Sequence, residues 1–214
     1  MIRKGNIMSA FSFRDKFFSL DFILVFSVLV LGIISIFAMY STDRGVVDYH
    51  TKNHIIRFTV FFTMFIFISF FQSRFWYETS TLIYIAVFLL LLGVKYFGLT
   101  SSGSQRWLNF YFMNLQPSEL MKVALLLFLA KYYHRIAAHD VNSVKFLFFP
   151  IVALIAPVLL VISQPDLGTS LLIAAGGIIV AWLAGVRIKF FTYALILFIS
   201  LLPIAISFLK PYQK

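Results

Sequence analysis

Cysteine is missing from all 214 residues, which excludes disulfides and thiolate-held metal sites and leaves the redox compartment undetermined. Charge is scarce as well. Only 12% of residues are Asp, Glu, Lys or Arg, against roughly 25% in a soluble globular domain. Set against 61% hydrophobic residues and a mean hydropathy of +0.95, that shortage excludes a soluble domain and leaves an integral membrane protein. Acids are the scarcer sign, 8 against 18 basic residues. The net charge of +10 does not indicate nucleic acid, because the basic residues are scattered between apolar runs, a distribution that suits anchoring at anionic lipid surfaces. No Gly-rich phosphate loop, nucleophile elbow or zinc signature occurs, and His50, His54, His134 and His139 lack metal-ligand spacing. A cleavable signal peptide is not expected either, since the first apolar run starts near Asp21 and lacks a small-residue cleavage site.

What is present is phenylalanine, 27 of it, which is tolerated freely where the solvent is lipid. Seven apolar runs approach the roughly 20 residues of a bilayer-spanning helix. They cover 21–40, 55–73, 79–97, 117–134, 146–163, 168–186 and 190–209. Without an evident linker, low-complexity tract or repeat, these runs predict one all-α, polytopic helix bundle over residues 1–214, since helices are the plausible form for runs this long in lipid. Arg3, Lys4, Arg14 and Lys16 precede the first run, and a cytoplasmic N-terminus places ten basic residues inside against seven outside, with Lys122 set aside. Helices four and six then both begin on the outer face, beside a polar loop at 98–116. "GVRIK", with Arg187 and Lys189, reads as an inner turn that obeys the charge rule.

Three polar clusters interrupt this pattern. In "QPSELMK", Pro117 suits the first helical position and Glu119 the first turn, where the helix dipole favours an acid. Lys122 lies one turn further on the same face, and an ammonium within a span costs about 2.5–3.5 kcal/mol at the bilayer centre. It either snorkels to the interface or pairs with Glu119 toward the bundle interior. In "SQPDLGTS", Asp166 reads as the cap of helix six or as an acid sharing a cavity with Glu119 and Lys122. In "TSSGSQRWLNF", Arg106 beside Trp107 reads as an interfacial anchor or as a phosphate-binding fork.

Taken together, "GSQRWLNF" at 103–110, "QPSELMK" at 116–122 and "QPDLGTS" at 164–170 resemble the SEDS family of bacterial membrane proteins, which includes RodA, FtsW and SpoVE. The likeness covers nearly the whole chain. It is closest to the elongation-type RodA branch, by the brief N-terminal tail and the "KPYQK" ending. The resemblance implies an inner-membrane glycosyltransferase that polymerises lipid II during cell-wall elongation and cell-shape maintenance, beside a class B penicillin-binding protein and other elongation or division proteins. Lipid II transport and a non-catalytic scaffold are the alternatives. It further implies that Arg106, Glu119, Lys122 and Asp166 bind substrate, with Asp166 a candidate catalytic residue. Trp107, Gln116, Pro117, Ser118, Gln164, Pro165, Gly168 and Thr169 form the motifs around them. Mg²⁺ or Mn²⁺ is the implied cofactor, to neutralise the diphosphate leaving group, with no ligand set assigned. One departure stands out. The family has ten helices and a large outer loop after the seventh that carries the aspartate proposed as catalytic, whereas this sequence ends at Lys214, so the 214 residues alone are expected not to polymerise.

Overall fold

The computed structural model describes Phe18 and residues 20–101, 104–110 and 113–207. The basic tail before Phe18, the "KPYQK" ending and Gly103 lie outside them. Seven helices follow in order among the described residues: α1 (Phe22–Thr42), α2 (Tyr49–Ser69), α3 (Ser73–Phe97), α4 (Pro117–His134), α5 (Val144–Ser163), α6 (Leu167–Leu183) and α7 (Ile188–Ser207). Of these, α1, α3 and α5 are long and apolar enough by themselves to cross a bilayer, and α6 is a shorter apolar helix. The chain divides into two compact units, with Trp76 opening the second.

The first unit is a hairpin of α1 and α2. Asp21 starts α1 by accepting from the Ile23 and Leu24 amides at 3.0 and 3.1 Å. Arg44 and Gly45 turn the chain with φ of 58° and 78°, a region that glycine enters at no steric cost. Asp43 fixes that turn by accepting from both the amide and the hydroxyl of the buried Thr51, at 2.8 and 2.7 Å. The two helices approach so closely that a Cβ on Gly32 would stand 1.9 Å from the Phe58 ring. Helix α2 starts at Tyr49, ahead of the expected 55, and α3 at Ser73, ahead of 79. Apolar-run reading stops at His50, Lys52 and His54, yet helical hydrogen bonding does not require apolar side chains, and His54 meets Ser35 at 2.8 Å.

In the second unit α4 is central. Its buried face runs Pro117, Met121, Ala124, Leu125, Phe128, Leu129, the i, i+3, i+4 spacing of one helical stripe. Helix α6 lies against both α4 and α5 through glycine. A Cβ on Gly176 would sit 3.1 Å from Leu126 of α4, and one on Gly177 would sit 2.6 Å from Leu154 of α5. Small residues of this kind let helices approach in lipid, where no hydrophobic effect draws them together. Gly185, at φ 95°, ends α6 at Leu183 rather than at the expected 186.

Helix α5 carries Pro150 and Pro157 in its interior. Proline has no amide proton, so each frees the carbonyl four residues earlier, Phe146 and Ala153. Both are satisfied from neighbouring helices. The Tyr132 hydroxyl of α4 donates to Phe146 O at 2.9 Å, and the Tyr84 hydroxyl of α3 donates to Ala153 O at 2.7 Å. Tyr84 also stacks on Phe128, with ring centroids 4.5 Å apart. Two tyrosines therefore replace the two amides that the prolines remove, as a span in lipid requires.

The segment at 98–116 is not an irregular loop. It folds as three antiparallel strands, β1 (Leu99–Ser101), β2 (Ser104–Phe110) and β3 (Met113–Leu115), in that order. Ser101 pairs with Ser104 and Phe110 with Met113, the tight closures of two hairpins.

Candidate functional site

The sheet has one irregularity, and it falls at Arg106. Thr100 pairs with Gln105 but Leu99 pairs with Trp107, so Arg106 is the extra residue of a β-bulge. Bulges bend a strand and re-aim its side chain. Here the guanidinium is aimed at the α5–α6 turn, where Nε donates to Gln164 O at 3.3 Å and Nη2 donates to Pro165 O. Both carbonyls lie at the end of α5, where a helix dipole is negative. Nη1 stands 3.9 Å from Asp166 Oδ1.

Asp166 begins α6. Its Oδ1 accepts from the Thr169 amide at 3.2 Å, and its Oδ2 accepts from the Thr169 hydroxyl at 2.8 Å and from Gln116 Nε2 at 3.2 Å. Gln116 immediately precedes α4 and also donates to Ser118 Oγ at 3.1 Å. Asp166 thus links the first turns of α4 and α6, whose dipoles both present about half a positive charge there. Gln164, buried, adds α3 by donating to Leu91 O at 3.2 Å. Three elements, β2, α4 and α6, converge on one carboxylate that is 8% exposed, and α3 is tied to the neighbouring turn.

Of the residues singled out in the sequence, this network gathers Arg106, Gln116, Ser118, Gln164, Pro165, Asp166 and Thr169. Pro117 is fully buried at the first position of α4. Gly168 is different, with open space where a Cβ would be. Trp107 is partly exposed beside Arg106.

Glu119 and Lys122 stand apart from the network. They pair with each other at 2.8 Å, and among the described residues neither forms an ion pair with Asp166. The Glu119 side chain is 53% exposed and that of Lys122 28%. The sequence reading of one cavity shared by three charges therefore resolves into a buried hub at Asp166 and an exposed pair on α4.

These residues do not fit a resident Mg²⁺ or Mn²⁺. No group of three or more His, Asp or Glu side chains that could hold a metal gathers among the described residues. Both Asp166 oxygens already face donors, with a guanidinium nearby. Hard divalent cations need several free oxygen ligands.

The family model described as cell cycle protein, FtsW/RodA/SpoVE, matches residues 17–214. Peptidoglycan glycosyltransferase MrdB of Escherichia coli is 38% identical over 133 residues, 62% of this chain and 35% of that protein. The probable peptidoglycan glycosyltransferase FtsW of Buchnera aphidicola subsp. Acyrthosiphon pisum is 31% identical over 218 residues, 97% of this chain and 54% of that protein. This chain therefore spans about a third to a half of the length of these relatives. A solved structure on the coordination of polymerization and crosslinking by a peptidoglycan synthase complex superposes with a TM-score of 0.74 at 26% identity, covering 89% of this chain and 55% of that one. The rod shape determining protein RodA of Thermus thermophilus superposes with a TM-score of 0.67 at 25% identity, covering 83% of this chain and 60% of that one.

Proposed function

This chain belongs to the FtsW/RodA/SpoVE family of membrane proteins, and on that footing we propose that it serves in peptidoglycan polymerisation, transferring glycan from lipid II in the plasma membrane during cell-wall elongation. The observation that carries the reading is the convergence of β2 and the first turns of α4 and α6 on Asp166, with an exposed ion pair on the next turn of α4. A polyprenyl diphosphate donor presents a charged headgroup above a long apolar tail. Lys122 is the cation best placed to meet such a headgroup, because it is partly exposed and has hydrogens beyond the one Glu119 accepts. The positive ends of α4 and α6 favour the same charge. Arg106 has its Nε and Nη2 committed to the α5–α6 turn, so it contributes to diphosphate binding through Nη1 and otherwise holds the site together. Asp166, already surrounded by donors, holds the frame; it is the one buried carboxylate among the described residues and so the candidate base. A divalent ion would arrive with the diphosphate as its counter-ion and would not be held by these residues.

We assign a crosslinking class B penicillin-binding protein as the partner, in keeping with the synthase complex to which the fold is similar. From the distribution of Lys and Arg we assign the N-terminus to the cytoplasm and Asp166 to the outer face.

The test is polymerisation of labelled lipid II, with Mg²⁺ and a class B penicillin-binding protein, by this chain supplied together with the remaining length of the E. coli relative. Glycan length on a gel is the readout. Polymer that falls at least tenfold in Lys122→Ala supports the assignment. Lipid II movement across vesicles without polymer replaces it by transport.

A further inference from the structure

At the far end of α4, about 22–28 Å along its axis from Gln116, three basic side chains gather on one aromatic ring. Lys131 Nζ lies 5.5 Å from the Tyr77 ring centroid and Arg135 Cζ 5.6 Å from it, while the His134 ring meets Tyr77 edge-on at 5.5 Å. The two cations are pinned by neutral groups. Lys131 donates to Glu78 O at 3.0 Å and Thr81 Oγ1 at 3.1 Å, and Arg135 Nε donates to the Tyr77 hydroxyl at 3.0 Å. Among the described residues neither Lys131 nor Arg135 forms an ion pair with a carboxylate.

Like charges four residues apart on a helix repel. The negative end of the α4 dipole offsets this in part. It does not account for fixing both cations on one ring while, among the described residues, no hydrogen-bond partner meets the Nη groups of Arg135. A planar fork beside an ammonium fits a phosphate, which accepts from both. From Leu82, one turn beyond Glu78, the exposed apolar residues Leu82, Ile85 and Leu89 continue along α3. A ligand with phosphate at one end and hydrocarbon at the other matches that sequence of surfaces.

We propose that Tyr77, Lys131 and Arg135 bind the phosphodiester headgroup of an anionic membrane phospholipid, whose acyl chain lies along α3. This site is separate from the one proposed for glycan transfer and does not depend on it. Charge complementarity selects the lipid. A zwitterionic headgroup brings its own ammonium into the same cluster, so phosphatidylglycerol binds more tightly than phosphatidylcholine.

The experiment measures the thermal midpoint of the purified full chain in mixed micelles containing equal mole fractions of phosphatidylglycerol or phosphatidylcholine. Phosphatidylglycerol is expected to give the higher midpoint. The gap is expected to shrink at least twofold in the Lys131→Gln/Arg135→Gln double variant and to persist in Arg187→Gln/Lys189→Gln, which removes the same charge elsewhere. The exposed Arg135→Gln single variant gives the same reading if the double variant does not fold. Equal midpoints in the two lipids, or equal loss of the gap in both double variants, overturn the proposal, because general surface charge then accounts for the effect. Inorganic phosphate raising the midpoint as much as phosphatidylglycerol also overturns it, in favour of a free-anion site.

Discussion

The two ends of α4 solve the problem of charge at a membrane surface in opposite ways. At Asp166 the opposite charges are matched within the fold. The guanidinium meets two carbonyls and a carboxylate, and the carboxylate meets a hydroxyl and two N–H groups. At Tyr77 two cations share one ring, and among the described residues neither forms an ion pair with a carboxylate. Satisfied, buried charge maintains a geometry, and its removal is felt as lost stability. Uncompensated charge at a surface is available to a ligand, and its removal is felt as lost binding.

The largest test of that contrast is Asp166→Ala. It leaves Arg106, Gln116 and Thr169 facing an empty position, and breaking a buried pair costs about 3–5 kcal/mol. Arg106 is a third exposed, so a loss of about 3 kcal/mol is expected. Lys131→Gln/Arg135→Gln in lipid-free detergent is expected to cost under about 1 kcal/mol, since exposed charges contribute little to stability. Unfolding in a graded denaturing detergent measures both. Equal losses at the two ends would remove the distinction.

The tyrosine–proline pairs of α5 sharpen the same argument with neutral groups. Tyr84→Phe keeps the ring on Phe128 but leaves Ala153 O without a donor, a cost of about 1–3 kcal/mol. Pro157→Ala restores the amide that the carbonyl lacks. The Tyr84→Phe penalty should therefore fall by at least half in the Pro157→Ala background, and a double-mutant cycle gives the coupling directly. Additive penalties would show that the hydroxyl is not replacing that amide.

Much of this was legible in the sequence. Runs of apolar residues located all seven helices, and Pro117 and Asp166 marked the starts of α4 and α6 within a residue, because capping is local chemistry. Helix parity brought Asp166 and the first turn of α4 to one side. The sheet at 99–115 was missed, although Ser and Gly at 101–104 beside an alternating segment are a hairpin signal. The partners of Asp166 were not readable, because Gln116 is 50 positions away in sequence. Nor was Arg106 as a bulge, which depends on pairing register. Lys131 and Arg135 counted in the sequence only among the ten inner basic residues, since helices α3 and α4 had first to be packed to bring Lys131 onto Tyr77.

The Glu119–Lys122 pair separates stability from function within the outer end itself. Both side chains are partly or largely exposed, and exposed pairs are worth about 0–1 kcal/mol. Glu119→Gln is therefore expected to leave the unfolding midpoint within about 1 kcal/mol of the parent while lowering lipid II polymerisation. A large stability loss would return the pair to the buried frame.

The smallest expected effect lies in the first unit, at Asp43. The Thr51 hydroxyl, and after it the Thr51 amide, hold its carboxyl below the ordinary value of 3.8. Those donors favour the charged form, so the folded state binds its proton less readily than the unfolded chain does. Stability from this turn is accordingly complete above the ordinary carboxylate range and lost as pH falls through the lowered value. Asp43→Asn removes the charge and should flatten that acid limb while leaving neutral-pH stability only slightly reduced, because Asn retains an acceptor oxygen for Thr51. Helicity of the parent and of Asp43→Asn, followed from pH 6 down to about pH 2.5, compares the two. Parallel curves would mean that the Thr51 donors do not couple this carboxylate to folding, and that the left-handed turn at Arg44 and Gly45 holds the hairpin without it.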